Sequence, residues 1–109
     1  MIVIIKPAAR SDILRQVDYY GGIGLRDIAE RFFVSVQSSI DVLARTPLGG
    51  SPRYFADEEL LGLRSWPVKS FEAFRIYYIP QDDRLIVLRV LHGRRDVEGI
   101  FDDDPDADH

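Results

Sequence analysis

Ala73-Phe74-Arg75-Ile76-Tyr77-Tyr78-Ile79, followed by Pro80-Gln81-Asp82-Asp83-Arg84 and then Leu85-Ile86-Val87-Leu88-Arg89-Val90-Leu91, is the stretch that decides the fold. Two runs of aliphatic and aromatic residues flank a short polar segment, a pattern that predicts a β-hairpin. Side chains alternate across a strand, so Phe74, Ile76 and Tyr78 share one face, as do Ile86, Leu88 and Val90 on the second strand. These apolar faces are expected to meet whatever covers the sheet. Arg75 and Tyr77, with Arg89, are then expected on an opposite, open face, which would suit a macromolecular partner.

Working upstream, Leu61 to Trp66 reads as another strand, broken by Pro67, and residues 46–60 read as a loop holding Pro47, Gly49, Gly50 and Pro52. Before that loop lies the strongest periodic signal in the chain. Leu25, Ile28, Ala29, Phe32, Val36, Ser39, Ile40 and Leu43 form one stripe, with Arg26, Asp27, Glu30, Arg31, Gln37 and Asp41 largely on the other side. This predicts an amphipathic helix over about 24–45, stopped by Thr46-Pro47 and Gly49-Gly50. Ala9, Ile13, Val17 and Tyr20 predict a first helix that opens at Pro7, where a missing N–H costs nothing, and ends at Gly21-Gly22-Ile23-Gly24. Ile2 to Ile5 predicts a short buried strand. The expected architecture is α+β, in the order β-α-α-β-β-β. A helical hairpin packs on one face of a small, mainly antiparallel sheet.

The 109 residues suit one domain, and 46% hydrophobic with 29% charged residues is a globular composition. There is no cysteine, which excludes disulfides and thiolate metal sites, and only His92 and His109 are imidazoles. Neither a metal nor another cofactor is therefore expected. The apolar start stops at Lys6-Pro7, too short for a signal sequence or a membrane span, so a cytoplasmic protein without membrane contact is expected. Net charge is −4, but residues 102–109 hold five aspartates and no Lys or Arg. Residues 60–95, with seven basic and three acidic side chains, are locally +4. The expected division is a domain over 1–101 and an acidic tail over 102–109, a solubilising segment that could also fold over the basic face.

Four strings in order resemble the RelE/ParE toxin superfamily, closest to its ParE branch. They are Pro7-Ala8-Ala9-Arg10-Ser11-Asp12-Ile13 at the start of helix one and Leu43-Ala44-Arg45-Thr46-Pro47-Leu48-Gly49 at the end of helix two. Leu63-Arg64 with Phe74-Arg75-Ile76-Tyr77-Tyr78 follows in the strands, and Val90-Leu91-His92-Gly93-Arg94-Arg95-Asp96 closes the series. The resemblance spans roughly residues 2–101. It implies the toxin of a type II toxin–antitoxin module, neutralised by a cognate antitoxin through which alone it would reach operator DNA. RelE-type members cleave mRNA on the ribosome, whereas ParE-type members bind DNA gyrase and stall replication.

The residues fit these chemistries unequally. Metal-free RNA cleavage needs proton-transfer groups as well as cations for the phosphate. Arg75 and Arg95 match the superfamily's arginines, and His92 is able to carry a proton near neutral pH. However, Leu61 and Leu63 stand at its lysine positions and Phe101 at its tyrosine. If the protein is a nuclease, Arg75, His92 and Arg95 are its candidate groups, and ribosome and mRNA its partners. Gyrase binding needs no catalytic group, only arginine and aromatic anchors. Arg64, Trp66, Arg75, Tyr77, Arg89, Arg94 and Arg95 are the candidates for target or antitoxin contact. A third possibility is an attenuated member that only binds antitoxin and assists repression.

Overall fold

The structure, a computed structural model, describes residues 1–93. The expectations for Arg94, Arg95, Phe101 and the segment 102–109 lie outside the described residues. Strand β1 (Ile2–Ile5) leads into helix α1 (Pro7–Gly22), which is followed by α2 (Arg26–Arg45). Strands β2 (Ser51–Pro52), β3 (Arg64–Val68), β4 (Phe71–Gln81) and β5 (Arg84–His92) follow, with a single 3-10 turn at Glu58–Leu60. The sheet order is β1-β5-β4-β3-β2, parallel between β1 and β5 and antiparallel elsewhere. The α+β arrangement read from the sequence is thus observed, with the two-residue β2 as an addition.

Pro7 opens α1 as expected, and Arg10 N–H donates to the Lys6 carbonyl. The helix runs through both Gly21 and Gly22, and the chain reverses at Gly24, whose φ of +83° favours glycine. In α2 the stripe Ala29, Phe32, Val36, Ser39, Ile40 and Leu43 is buried. Ser39 is tolerated there because its hydroxyl accepts the Lys69 N–H at 3.0 Å. The helices and one sheet face enclose the main core. Phe32 is wholly buried at its centre, edge-on to Phe71 and Phe74 at ring separations of 5.3 and 5.2 Å.

Three expectations about the strands need correction. First, β1 is an edge strand, with Ile2 and Val3 exposed, because only β5 flanks it. Second, Pro67 lies within β3 and does not break it. β2 pairs only with Arg64 and Ser65, so beyond them the outer edge of β3 makes no ladder and a residue without an N–H is accommodated. Third, the expected facing of β5 is wrong over part of its length. Tyr77 opposes Arg89 while Tyr78 opposes Val87, so Leu88 is an extra residue, a β-bulge. The helix-facing residues are therefore Leu85, Val87 and Val90, whereas Leu88 packs on the far side and Ile86 sits opposite Ile79. A strict alternation carries Val90 correctly and misplaces Ile86 and Leu88.

Candidate functional site

The face of the sheet away from the helices was expected to be open. Instead the segment between β2 and β3 folds back over part of it. Arg53 N–H bonds to the Leu63 carbonyl at 2.8 Å, and Asp57 caps the 3-10 turn by accepting the Glu59 N–H at 2.9 Å. Phe55 and Leu60 from this segment pack with Leu63, Tyr77, Leu91, Ile79 and Leu88 into a second apolar cluster. The reason is that Tyr77, Leu91 and Leu88 are too apolar to leave in water, so a nearby segment with its own large side chains covers them.

Tyr77 is consequently wholly buried and is not a surface anchor. Burial pushes its phenol pKa up, opposed by the positive charges of Arg53 and Arg75. The Arg53 guanidinium lies 5.7 Å from the centroid of the Tyr77 ring, within cation–π range. Arg75 donates from Nε to Ser65 Oγ at 2.9 Å and from Nη2 to the Ser65 carbonyl at 3.3 Å. Both its acceptors are neutral. Arg53 and Arg75 thus flank one buried ring, and among the described residues neither meets a carboxylate. This pair can bind an anion. Arg53 was not among the sequence candidates; the run Arg53-Tyr54-Phe55, a cation beside two aromatics, was its available signal.

The other candidates lie elsewhere. Arg64 opposes Tyr78 and Trp66 opposes Ile76, so both sit on the helix side of the sheet. Trp66 is half-buried against the main core. Arg64 donates from Nη1 to the carbonyls of Leu48 and Gly50, at 3.1 and 2.8 Å. Tyr78 completes this tie, its hydroxyl donating to the Pro47 carbonyl at 2.7 Å and accepting the buried Gly50 N–H at 2.9 Å. Burial raises the Tyr78 pKa, while the Gly50 bond and Arg64 act to lower it. Gly50 has no room for a side chain, since a Cβ would collide with the Tyr78 hydroxyl and stand 2.8 Å from the Ser65 carbonyl. Arg64 is therefore a clasp on the loop leaving α2. Replacing Tyr78 by Phe is expected to cost about 1–3 kcal/mol, because Gly50 loses its acceptor. Urea unfolding should show a lower midpoint at unchanged slope.

Arg89 is also displaced from the expected face. Although it stands opposite Tyr77 in the ladder, its guanidinium reaches α1, where Nε and Nη2 each donate to an Asp12 carboxylate oxygen at 2.7 Å. The same carboxylate accepts the Val90 N–H at 3.0 Å. His92 lies opposite Phe74 on the helix side, their rings edge-to-face at 5.5 Å. Of the candidates within the described residues, Arg75 and Tyr77 are the two that join Arg53 at this site. A separate recess of about 270 Å³, lined by Ile5, Ile13, Leu14, Phe33, Val36 and Ile40 among others, lies between the helices. Its Leu14 and Phe33 are exposed.

The family described as the ParE toxin of the type II toxin-antitoxin system, parDE, matches residues 3–97. The chain belongs to the ParE toxin family. A chain in the solved structure of the chromosomal ParDE TA system from P. aeruginosa is similar in fold, with a TM-score of 0.68 at 15% identity. That likeness covers 84% of this chain and 95% of the other. No curated protein sequence matches. The described residues of this ParE-family chain form two helices against a five-stranded sheet. Among its described residues, no helix is long and apolar enough to cross a membrane.

Proposed function

We propose that this ParE-family toxin acts by binding DNA gyrase, and that a cognate antitoxin neutralises it in a type II module. One observation carries the choice of target over RNA cleavage. The resemblance to the superfamily puts Leu61 and Leu63 where its RNA-cleaving branch carries lysines. Leu63 is closed into the apolar cluster with Tyr77 and Leu91. A leucine transfers no proton, and a packed one leaves no vacancy for another base. Binding, by contrast, needs only complementary shape and charge. The anion-seeking pair Arg53 and Arg75 and the exposed side chains of Tyr54 and Leu61 supply polar and apolar contact.

The test is supercoiling of a relaxed plasmid by purified gyrase, with and without the full chain. The expected result is loss of supercoiled product, restored when the antitoxin encoded beside the gene is added first. Unimpaired supercoiling together with cleavage of mRNA on translating ribosomes would instead establish the nuclease reading. Unimpaired growth on expressing the chain alone, with neither activity in vitro, would mark an attenuated antitoxin binder.

A further inference from the structure

We propose that the outer side of the segment between β2 and β3, from Tyr54 to Leu61, is the surface that grips the target protein, and that it fits an apolar patch framed by Lys and Arg. The inference deepens the gyrase reading and rests on it. Tyr54 is 88% and Leu61 83% exposed, the two most exposed large apolar side chains among the described residues. A lone exposed apolar residue needs no explanation. Here, however, each stands next to a residue that points the other way. Phe55 and Leu60 pack on the cluster of Leu63, Tyr77 and Leu91. The segment thus seats one aromatic and one aliphatic side chain on the sheet and holds one of each out in water.

This surface is shaped before a partner arrives. Its two limbs join where the Arg53 N–H meets the Leu63 carbonyl, next to the last pair of the β2–β3 ladder, Pro52 with Arg64. At its crest, the Asp57 side chain accepts the Glu59 N–H, and the N–H groups of Leu60 and Leu61 donate to the carbonyls of Asp57 and Glu58. Gly62 has a φ of +83°, and a Cβ built on it would stand 3.9 Å from Cγ2 of Ile79, so this limb lies against the sheet. Anchors carried on a fixed backbone lose less freedom on binding.

Charge selects the partner. Residues 54–62 hold Asp57, Glu58 and Glu59 and no Lys or Arg. All three carboxylates are exposed. They repel phosphate, so a nucleic acid or an anionic lipid surface is a poor occupant, although Tyr54 by itself would suit stacking on a base. A protein surface with apolar sockets and cations around them is complementary in both respects.

The test is the affinity of the full chain for purified gyrase holoenzyme, measured for the wild type and two variants. Tyr54→Ala with Leu61→Ala should weaken binding about tenfold or more, as loss of interface anchors does. The concentration needed to stop supercoiling should rise in proportion, at an unchanged melting temperature. Glu58→Lys with Glu59→Lys should slow association and remove part of its salt dependence. Should the alanine pair melt at a lower temperature, the charge-reversed variant decides. If the wild type inhibits gyrase and the alanine pair binds as tightly, or charge reversal strengthens binding, the inference is overturned while the gyrase reading stands. If the wild type does not bind gyrase, both fall. The inference is also overturned if the wild type binds duplex DNA and the alanine pair does not. Sedimentation showing self-association that the alanine pair abolishes would overturn it too, since the patch would then join copies of this chain.

Discussion

Asp12→Ala is expected to destabilise the domain by about 3 kcal/mol, at the lower end of what breaking a buried ion pair costs. The Asp12 side chain is 3% exposed and that of Arg89 21%, so the carboxylate is inside while the guanidinium retains some access to water. Removing the carboxylate takes away two charge-assisted bonds to Arg89 and the acceptor of the Val90 N–H. This contact also anchors α1 to β5 beyond the last residue of β5 that pairs with β1. In a chain of this size the loss corresponds to a fall in melting temperature on the order of 10 °C or more. Asp12→Asn should fall between, since its amide oxygen is still able to accept from Val90 while the charge–charge attraction to Arg89 is lost. A double-mutant cycle with Arg89→Ala should show strong coupling. If Asp12→Ala costs less than about 0.5 kcal/mol, the pair behaves as an ordinary surface contact and the account is wrong.

The second large effect is expected at Phe32. Its ring is inaccessible to solvent and meets Tyr20, Phe71 and Phe74 edge-to-face or nearly so. Truncation to alanine leaves a cavity between α2 and the sheet. It should cost about 3–5 kcal/mol, combining lost transfer energy with unfilled volume. Some of that reflects edge-on ring contacts, each worth about 0.5–1.5 kcal/mol beyond burial. Small domains have total stabilities of roughly 5–15 kcal/mol, so the variant should sit close to unfolding at physiological temperature. Chemical denaturation monitored by circular dichroism would measure it. A loss below about 1 kcal/mol would show that the surrounding rings collapse into the space, so the site is not rigidly packed.

The candidate interface is smaller than a count of arginines suggests. Arg64 holds the loop after α2, and Arg89 joins α1 to the sheet, so replacing either tests folding before it tests binding. Arg53 and Arg75 hold neutral acceptors and keep their charge available, which makes them the informative positions for binding. Leu63, by contrast, is a filled position in an apolar cluster, not a group on an open surface.

The order of elements, the two helices and their buried stripes, and the central hairpin were determined by the sequence itself. They depend on local periodicity and on Pro7, which starts α1. The four strings also identified the family, with Asp12 in the first of them, although nothing local reveals that its partner is Arg89. What only the tertiary structure decided was where individual side chains of the sheet end up. One extra residue, Leu88, shifts the alternation of β5, and the guanidinium of Arg89 reaches α1 through Asp12. The segment over Tyr77 hides a face that alternation leaves exposed. Both outcomes have one physical cause: apolar side chains on two sides of the sheet must each be covered, and the covering segments lie far away in the sequence.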